Sequence, residues 1–103
     1  MSQPYILTAG AAVDLQKIAS YTERKWGTAQ RQEYIRQIET AAIELAQGRG
    51  AFRQRDDLCS GVRVRLAGHH YVFCLPRAAA PALILAILHE RMDIIARLKE
   101  RLD

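Results

Sequence analysis

ALILAILHERMDIIARLKERLD, residues 82–103, changes character halfway along. The seven apolar residues from Ala82 to Leu88 follow Pro81 and are rich in leucine and isoleucine, which suits a strand covered on both faces rather than a surface helix. His89-Glu90-Arg91-Met92-Asp93 then brings polar groups to the rim of that strand. From Met92 to Leu102 the spacing of Ile95, Leu98 and Leu102 predicts a terminal helix whose end frays. A core strand holds the residues at its end in fixed positions, so the rim is the first place to look for a binding or reactive surface.

Upstream, the hydrophobic period changes from two to one helical turn and back. PYILT, residues 4–8, reads as a short first strand. Thr8 can cap a helix from about 9 to 26, along which Ala11, Leu15, Ile18, Ala19, Thr22 and Trp26 form one face. Gly27 stops it and Thr28 can cap a second helix from about 29 to 47, with Ile35, Ile38, Ala42 and Leu45 inward and Gly48 as its stop. So short a link makes the two helices an antiparallel hairpin that buries Leu15, Ile18, Trp26, Ile35, Ile38 and Leu45. Residues 49–60 show no period and read as loop or a frayed strand. From Val62 to Leu66 apolar residues alternate with Arg63 and Arg65, the pattern of a half-exposed strand with an outward arginine face. Ala67-Gly68 is a turn, HHYVFCL (69–75) a second strand, PRAAAP (76–81) the next turn and 82–88 the third antiparallel strand. The order is β-α-α-β-β-β-α, a single α+β domain with the helical hairpin on one face of a small, largely antiparallel sheet.

The totals bound the function class. The chain has 103 residues, half of them hydrophobic and a quarter charged, ordinary globular composition. No apolar run reaches the roughly 18 residues of a membrane span. Ser2, Gln3 and Pro4 lead straight into strand-like residues, so no secretory signal is expected and the cytoplasm is the expected compartment. Cys74 is expected in the core, and Cys59 in a loop without a metal-ligand partner. His69 and His70, adjacent in an extended strand, should face opposite sides, so no metal is expected. Net charge is +4, and six arginines against Asp56 and Asp57 between Arg49 and Arg77 account for all of it. One face therefore meets something anionic, or is simply a solvated sheet face.

These pieces together resemble the ParE branch of the RelE/ParE toxins of bacterial toxin-antitoxin pairs. The residues that carry the resemblance are Asp14-Leu15 with Ile18, Tyr21-Thr22, Trp26-Gly27, Tyr34, His70-Tyr71-Val72, and Ile87-Leu88-His89 followed by Arg91-Met92-Asp93. The resemblance implies the RelE/ParE-like fold, inhibition of DNA gyrase, and neutralisation by a cognate ParD-like antitoxin. Where the family often has Pro and Gly after the second helix, this chain has QGRGAFRQ, and where the second sheet strand often ends Tyr-Arg it has Phe73-Cys74-Leu75.

The RelE branch offers the alternative of ribosome-dependent messenger RNA cleavage, which needs proton acceptors and donors and cations around a phosphate. Arg63, Arg65 and Arg77 with His89 would have to supply them. No tyrosine follows Tyr71 and the last strand is wholly apolar, so the sequence favours a gyrase inhibitor without catalytic residues. A non-toxic binding module of the same fold is the third reading. The target-binding candidates are Arg63, Arg65, His89, Arg91, Met92 and Asp93; the antitoxin-binding candidates are Leu15, Ile18, Tyr21, Trp26 and Tyr34. A cofactor is not called for, and the expected partners are proteins rather than nucleic acid or membrane.

Overall fold

The computed structural model describes residues 3–102. In chain order its elements are β1 (Tyr5–Leu7), α1 (Ala9–Trp26), α2 (Thr28–Gln47), β2 (Arg53–Gln54), β3 (Arg63–Ala67), β4 (His70–Arg77), β5 (Ala80–His89) and α3 (Ile94–Leu102). The strands form one sheet in the order β1-β5-β4-β3-β2, with β1 parallel to β5 and all other pairs antiparallel. The apolar run is thus an interior strand, as its composition predicts, and no helix is long and apolar enough to cross a membrane among the described residues.

Both faces of the sheet are covered. Ala82, Ile84 and Ile87 of β5 pack with Val72, Cys74 and Ala67 against Ala11 and Ile18 of α1 and Ile38, Ala41, Ala42 and Leu45 of α2. Leu85, Ala86 and Leu88 pack with Val62, Val64 and Phe73 under Leu98 of α3, which is 0% exposed. Strict alternation would place Ile84 and Ile87 on opposite faces. The register with β4 slips between Phe73↔Ala86 and Cys74↔Ile84, leaving Leu85 without a direct partner. That bulge shifts the parity and lets one strand feed two cores.

β1 is only three residues long, so among the described residues no strand lies beside the outer edge of β5 beyond Ile84. Side chains close it instead. Thr8 accepts a hydrogen bond from the Ala11 N–H (3.2 Å), capping α1, and shares its hydroxyl proton between the carbonyls of Ile84 (3.0 Å) and Leu85 (3.2 Å). Asp14 accepts the Ile87 N–H at 3.0 Å and holds the Arg101 guanidinium with both oxygens, at 2.9 and 3.0 Å. Arg101 also donates to the Leu85 carbonyl at 3.2 Å. Glycine at position 10 makes this possible, because a Cβ there would lie 2.5 Å from Arg101 Nη1. The last turn of α3 is thereby tied to the second turn of α1 around the edge of the sheet.

Several expectations are corrected. The stretch read as loop or frayed strand contains β2, which adds a fifth strand. PRAAAP narrows to a turn at Ala78 and Ala79, the latter at φ 57°, because Pro76, Arg77, Ala80 and Pro81 still belong to strands. α2 begins at Thr28 with Gly27 as its N-cap; the Thr28 hydroxyl donates to Glu23 instead of capping. α3 begins at Ile94 and turns Ile94, Leu98 and Arg101 inward, leaving Ile95 and Leu102 exposed. Trp26, expected in the core, is 66% exposed. It continues the apolar stripe of α1, but the whole tip of the hairpin, residues 23–33, stands clear of the sheet, and a stripe buries only where a surface lies beneath it. Leu15 and Ile35 are half-buried, packed against the core on one side and open to a groove between the two helices on the other.

Truncation of Ile87 to alanine is expected to cost about 2–5 kcal/mol in denaturant melts, as for other fully packed core positions. Asp14→Ala should cost about 2–4 kcal/mol, since it strands both a guanidinium and a strand N–H. Paired with Arg101→Met its cost should fall short of additive, and simple additivity would show that the two residues do not act as one clamp.

Candidate functional site

The rim expected at the end of β5 is built from four segments. His70 of β4 lies directly opposite His89 of β5, and the turn before β4, at Gly68 and His69, folds over Tyr34 of α2. Gly68 has φ 61°, and a Cβ on it would meet the Tyr34 ring at 2.5 Å, so both the backbone and the tyrosine require glycine there. The Tyr34 hydroxyl accepts the His69 N–H (2.9 Å) and lies 2.6 Å from His70 Nδ1. A neutral His70 either accepts the phenol proton at Nδ1, or donates from Nδ1 to the phenol oxygen while the phenol donates to the Ala67 carbonyl at 3.5 Å. His69 Nδ1 lies 2.6 Å from Glu90 Oε2, and His89 Nδ1 accepts the Arg91 N–H at 3.1 Å.

His69 belongs to the turn and not to the strand, so the expected opposite orientation of His69 and His70 does not apply. His69 stacks on His89 with centroids 6.2 Å apart, and His70 meets His89 edge-on at 5.1 Å. Among the described residues, no three His, Cys, Asp or Glu side chains converge as metal ligands. Burial, reinforced by the neighbouring His89 and His69, pushes the His70 imidazole down to about 4. Burial also raises the Tyr34 phenol, and the hydrogen bond from His69 holds the Glu90 carboxyl below its usual range. At neutral pH the centre of the rim is therefore an uncharged Tyr–His pair that fixes a turn, with a carboxylate outside it. Burial lifts the Cys74 thiol to about 11, which leaves it unreactive in the core.

The arginines go elsewhere. Arg63 and Arg65 pair in register with Cys74 and Val72, residues of the helix-covered face, so they point under α2 and not outward. Arg63 donates to the Leu45 carbonyl at 2.7 Å and lies 5.2 Å above the Phe52 ring, neutralising the carbonyl end of α2. Arg65 pairs with Glu44 at 2.8 Å. Gly48 and Gly50, at φ 69° and 77°, make room, since Cβ atoms there would sit 3.3 and 2.9 Å from the two guanidinia. Arg77 is at the opposite end of the β4–β5 pair from His89, about 23 Å away by strand rise. The four residues of the nuclease alternative do not share one site. Arg91, Met92 and Asp93 are exposed on the rim, and Asp93 caps α3 through the Ala96 N–H at 3.2 Å.

A groove of about 660 Å³ runs between the outer faces of α1 and α2, floored by Leu7, Ala12, Leu15, Ala19 and Ile35 and rimmed by Arg31, Arg36 and Glu39. Leu15 reaches it; Ile18, 8% exposed, lies beneath in the core. Tyr21 is 55% exposed on α1, Trp26 is at the hairpin tip, and Tyr34 belongs to the histidine rim. Sequence reasoning missed Ala12, Ala19 and Ile35 as groove residues, and missed the Tyr34–His70 contact across 36 positions of sequence. Alanines at helical spacing were the available signal for the groove; nothing local signals the contact.

A family model described as "ParE toxin of type II toxin-antitoxin system, parDE" matches residues 5–94. "Toxin ParE" of Escherichia coli is 52% identical over 98 residues, 95% of either chain. "Toxin ParE1" of Caulobacter vibrioides is 31% identical over 96 residues, covering 93% of this chain and 98% of the relative. In "Toxin ParE1" of Mycobacterium tuberculosis the identity is 30% over 94 residues, covering 91% and 96%. A solved structure described as "Chromosomal ParDE TA system from P. aeruginosa" superposes with a TM-score of 0.65 at 22% identity over 85% of this chain and 98% of that one, a likeness of fold.

The His70 value sets a pH dependence. Its folded value of about 4 is below the ordinary 6.5, so between these limits the unfolded chain binds a proton that the folded chain does not. Stability is thus complete above pH 6.5 and falls as pH drops toward 4. For a half-exposed group the loss at pH 5 is on the order of 1 kcal/mol after allowance for solvent screening. Urea melts at pH 7 and pH 5 should show it, and His70→Asn, which keeps an acceptor for Tyr34, should reduce it; an unchanged slope in that variant would remove His70 from the account.

Proposed function

The chain belongs to the ParE toxin family of type II toxin-antitoxin systems, and from that membership we propose that it is a cytoplasmic inhibitor of DNA gyrase held inactive by a cognate ParD-like antitoxin. The observation that carries the reading is 52% identity to a ParE toxin over 95% of both chains. The geometry supports an inhibitor over a nuclease. Arg63 and Arg65 are committed to the end of α2, Arg77 lies at the far end of the sheet from His89, and the rim pairs a neutral histidine with a tyrosine whose phenol is raised, not activated. Such a domain acts by complementary contact that traps the enzyme's cleaved-DNA state.

The antitoxin docks in the groove between α1 and α2. An apolar floor of small and aliphatic residues with a mixed-charge rim suits a segment that folds as it lands, as disordered antitoxin tails would.

Purified protein should make gyrase accumulate cleaved DNA in a supercoiling assay while leaving ribosome-bound messenger RNA intact, and His89→Ala should alter this little. Site-specific RNA cleavage lost in a normally melting His89→Ala variant would instead establish the nuclease reading. Ala12→Arg, at an exposed groove position, should weaken antitoxin binding by about tenfold or more, close to 1.4 kcal/mol, without changing gyrase inhibition. Full antitoxin affinity in that variant would place the antitoxin elsewhere.

A further inference from the structure

We propose that the sheet carries a second docking surface on its α3 side, where gyrase adds an extended acidic and apolar segment to the open edge of β3. The proposal rests on the gyrase reading and names the surface that would serve it. β2 pairs only Arg53 with Val64 and Gln54 with Arg63, and the Arg55 N–H reaches the Val62 carbonyl at 2.9 Å. Backbone groups in an antiparallel pair point alternately to either side, so Val62, Val64 and Leu66 form the row directed at β2. Among the described residues no strand stands opposite Leu66. Its side chain, 44% exposed, projects to the α3 face.

Beside this open edge lies a groove of about 580 Å³ whose apolar part is Phe52, Val64, Leu66, Tyr71 and Ile94. Its charged lining is Arg53, Arg55 and Arg65, and among the described residues no carboxylate lines it. Arg55 is engaged by Asp57 and Arg65 by Glu44, whereas Arg53, exposed on β2, makes no ion pair among the described residues. Part of the cationic excess of the middle segment therefore reaches solvent here through Arg53, with Arg49 and Arg77 exposed elsewhere, and not through the Arg63 and Arg65 pair that the alternation points to. Open backbone groups, an apolar floor and a cationic rim match a peptide strand with alternating apolar and acidic side chains. A phosphate backbone would match the rim alone. The α1–α2 groove has a mixed-charge rim and shares none of these lining residues, so the two surfaces can be separated by mutation.

The test uses full-length Arg53→Glu and Leu66→Asp, both at exposed positions, with melting and antitoxin affinity as checks on folding. Each should weaken binding to purified gyrase by about tenfold, a loss of about 1.4 kcal/mol, and raise the concentration needed to trap cleaved DNA to match, with antitoxin affinity unchanged. In the wild-type complex, amide exchange across residues 65–67 should slow on gyrase binding. Variants that bind and trap gyrase as the wild type does, or unchanged exchange at 65–67 in a formed complex, overturn the proposal and leave the gyrase reading standing. Wild-type protein that neither binds nor traps gyrase overturns that reading and the proposal with it. Loss of antitoxin binding alone, or of binding to bare duplex DNA alone, assigns the groove to those partners and equally overturns it.

Discussion

The structure hangs on the closure of one strand edge. β5 runs through the centre of both cores, yet β1 covers its outer side only as far as Ile84. A buried strand cannot leave backbone groups unpaired beyond that point without losing about the desolvation energy of each. Thr8, Asp14 and Arg101 supply the missing partners. Because they come from the start of α1 and the end of α3, closing the edge also joins the first and last helices. A terminal helix that would otherwise be held mainly by Ile94 and Leu98 gains a charge-assisted, two-pronged anchor.

The same economy governs the arginines of β3. Facing inward on a sheet that lies under α2, they meet the last turns of that helix, where Arg63 donates to the Leu45 carbonyl, a position that favours a cation, and Arg65 pairs with the Glu44 carboxylate. The QGRGAF segment then reads as packing chemistry: two glycines in left-handed conformations let guanidinia pass close by, and Phe52 covers one of them. The residues that depart from the usual family pattern after the second helix thus shape the end of α2 and the start of the edge strand β2.

Function follows from which surfaces this packing leaves open. The helical hairpin overhangs the sheet and presents a mixed-charge groove on one side; the short β2 leaves a cationic, apolar edge on the other. Between them the Tyr34–His70 pair locks the β3–β4 turn in an uncharged state at neutral pH. Two separate open surfaces are what the proposed role, holding partner proteins, would use.

The sequence by itself determined the element types and their order, because period and composition act locally: seven apolar residues before a charged rim, two amphipathic helices parted by a glycine, alternation from Val62. It also determined the family, through residues spread along the chain. It could not determine where those elements end against one another. Trp26 carries a core signal but lies past the edge of the sheet, and Ile84 and Ile87 share a face only because a bulge opposite β4 shifts the parity. Alternation shows that Arg63 and Arg65 share a face, and only the position of α2 decides that this face is covered. β2 is two residues stabilised by register with β3, with no periodicity of its own. The joining of Asp14 to Arg101 and of Tyr34 to His70 spans long stretches of chain. Such contacts exist only once the sheet has brought distant segments to one edge, so no local pattern can encode them.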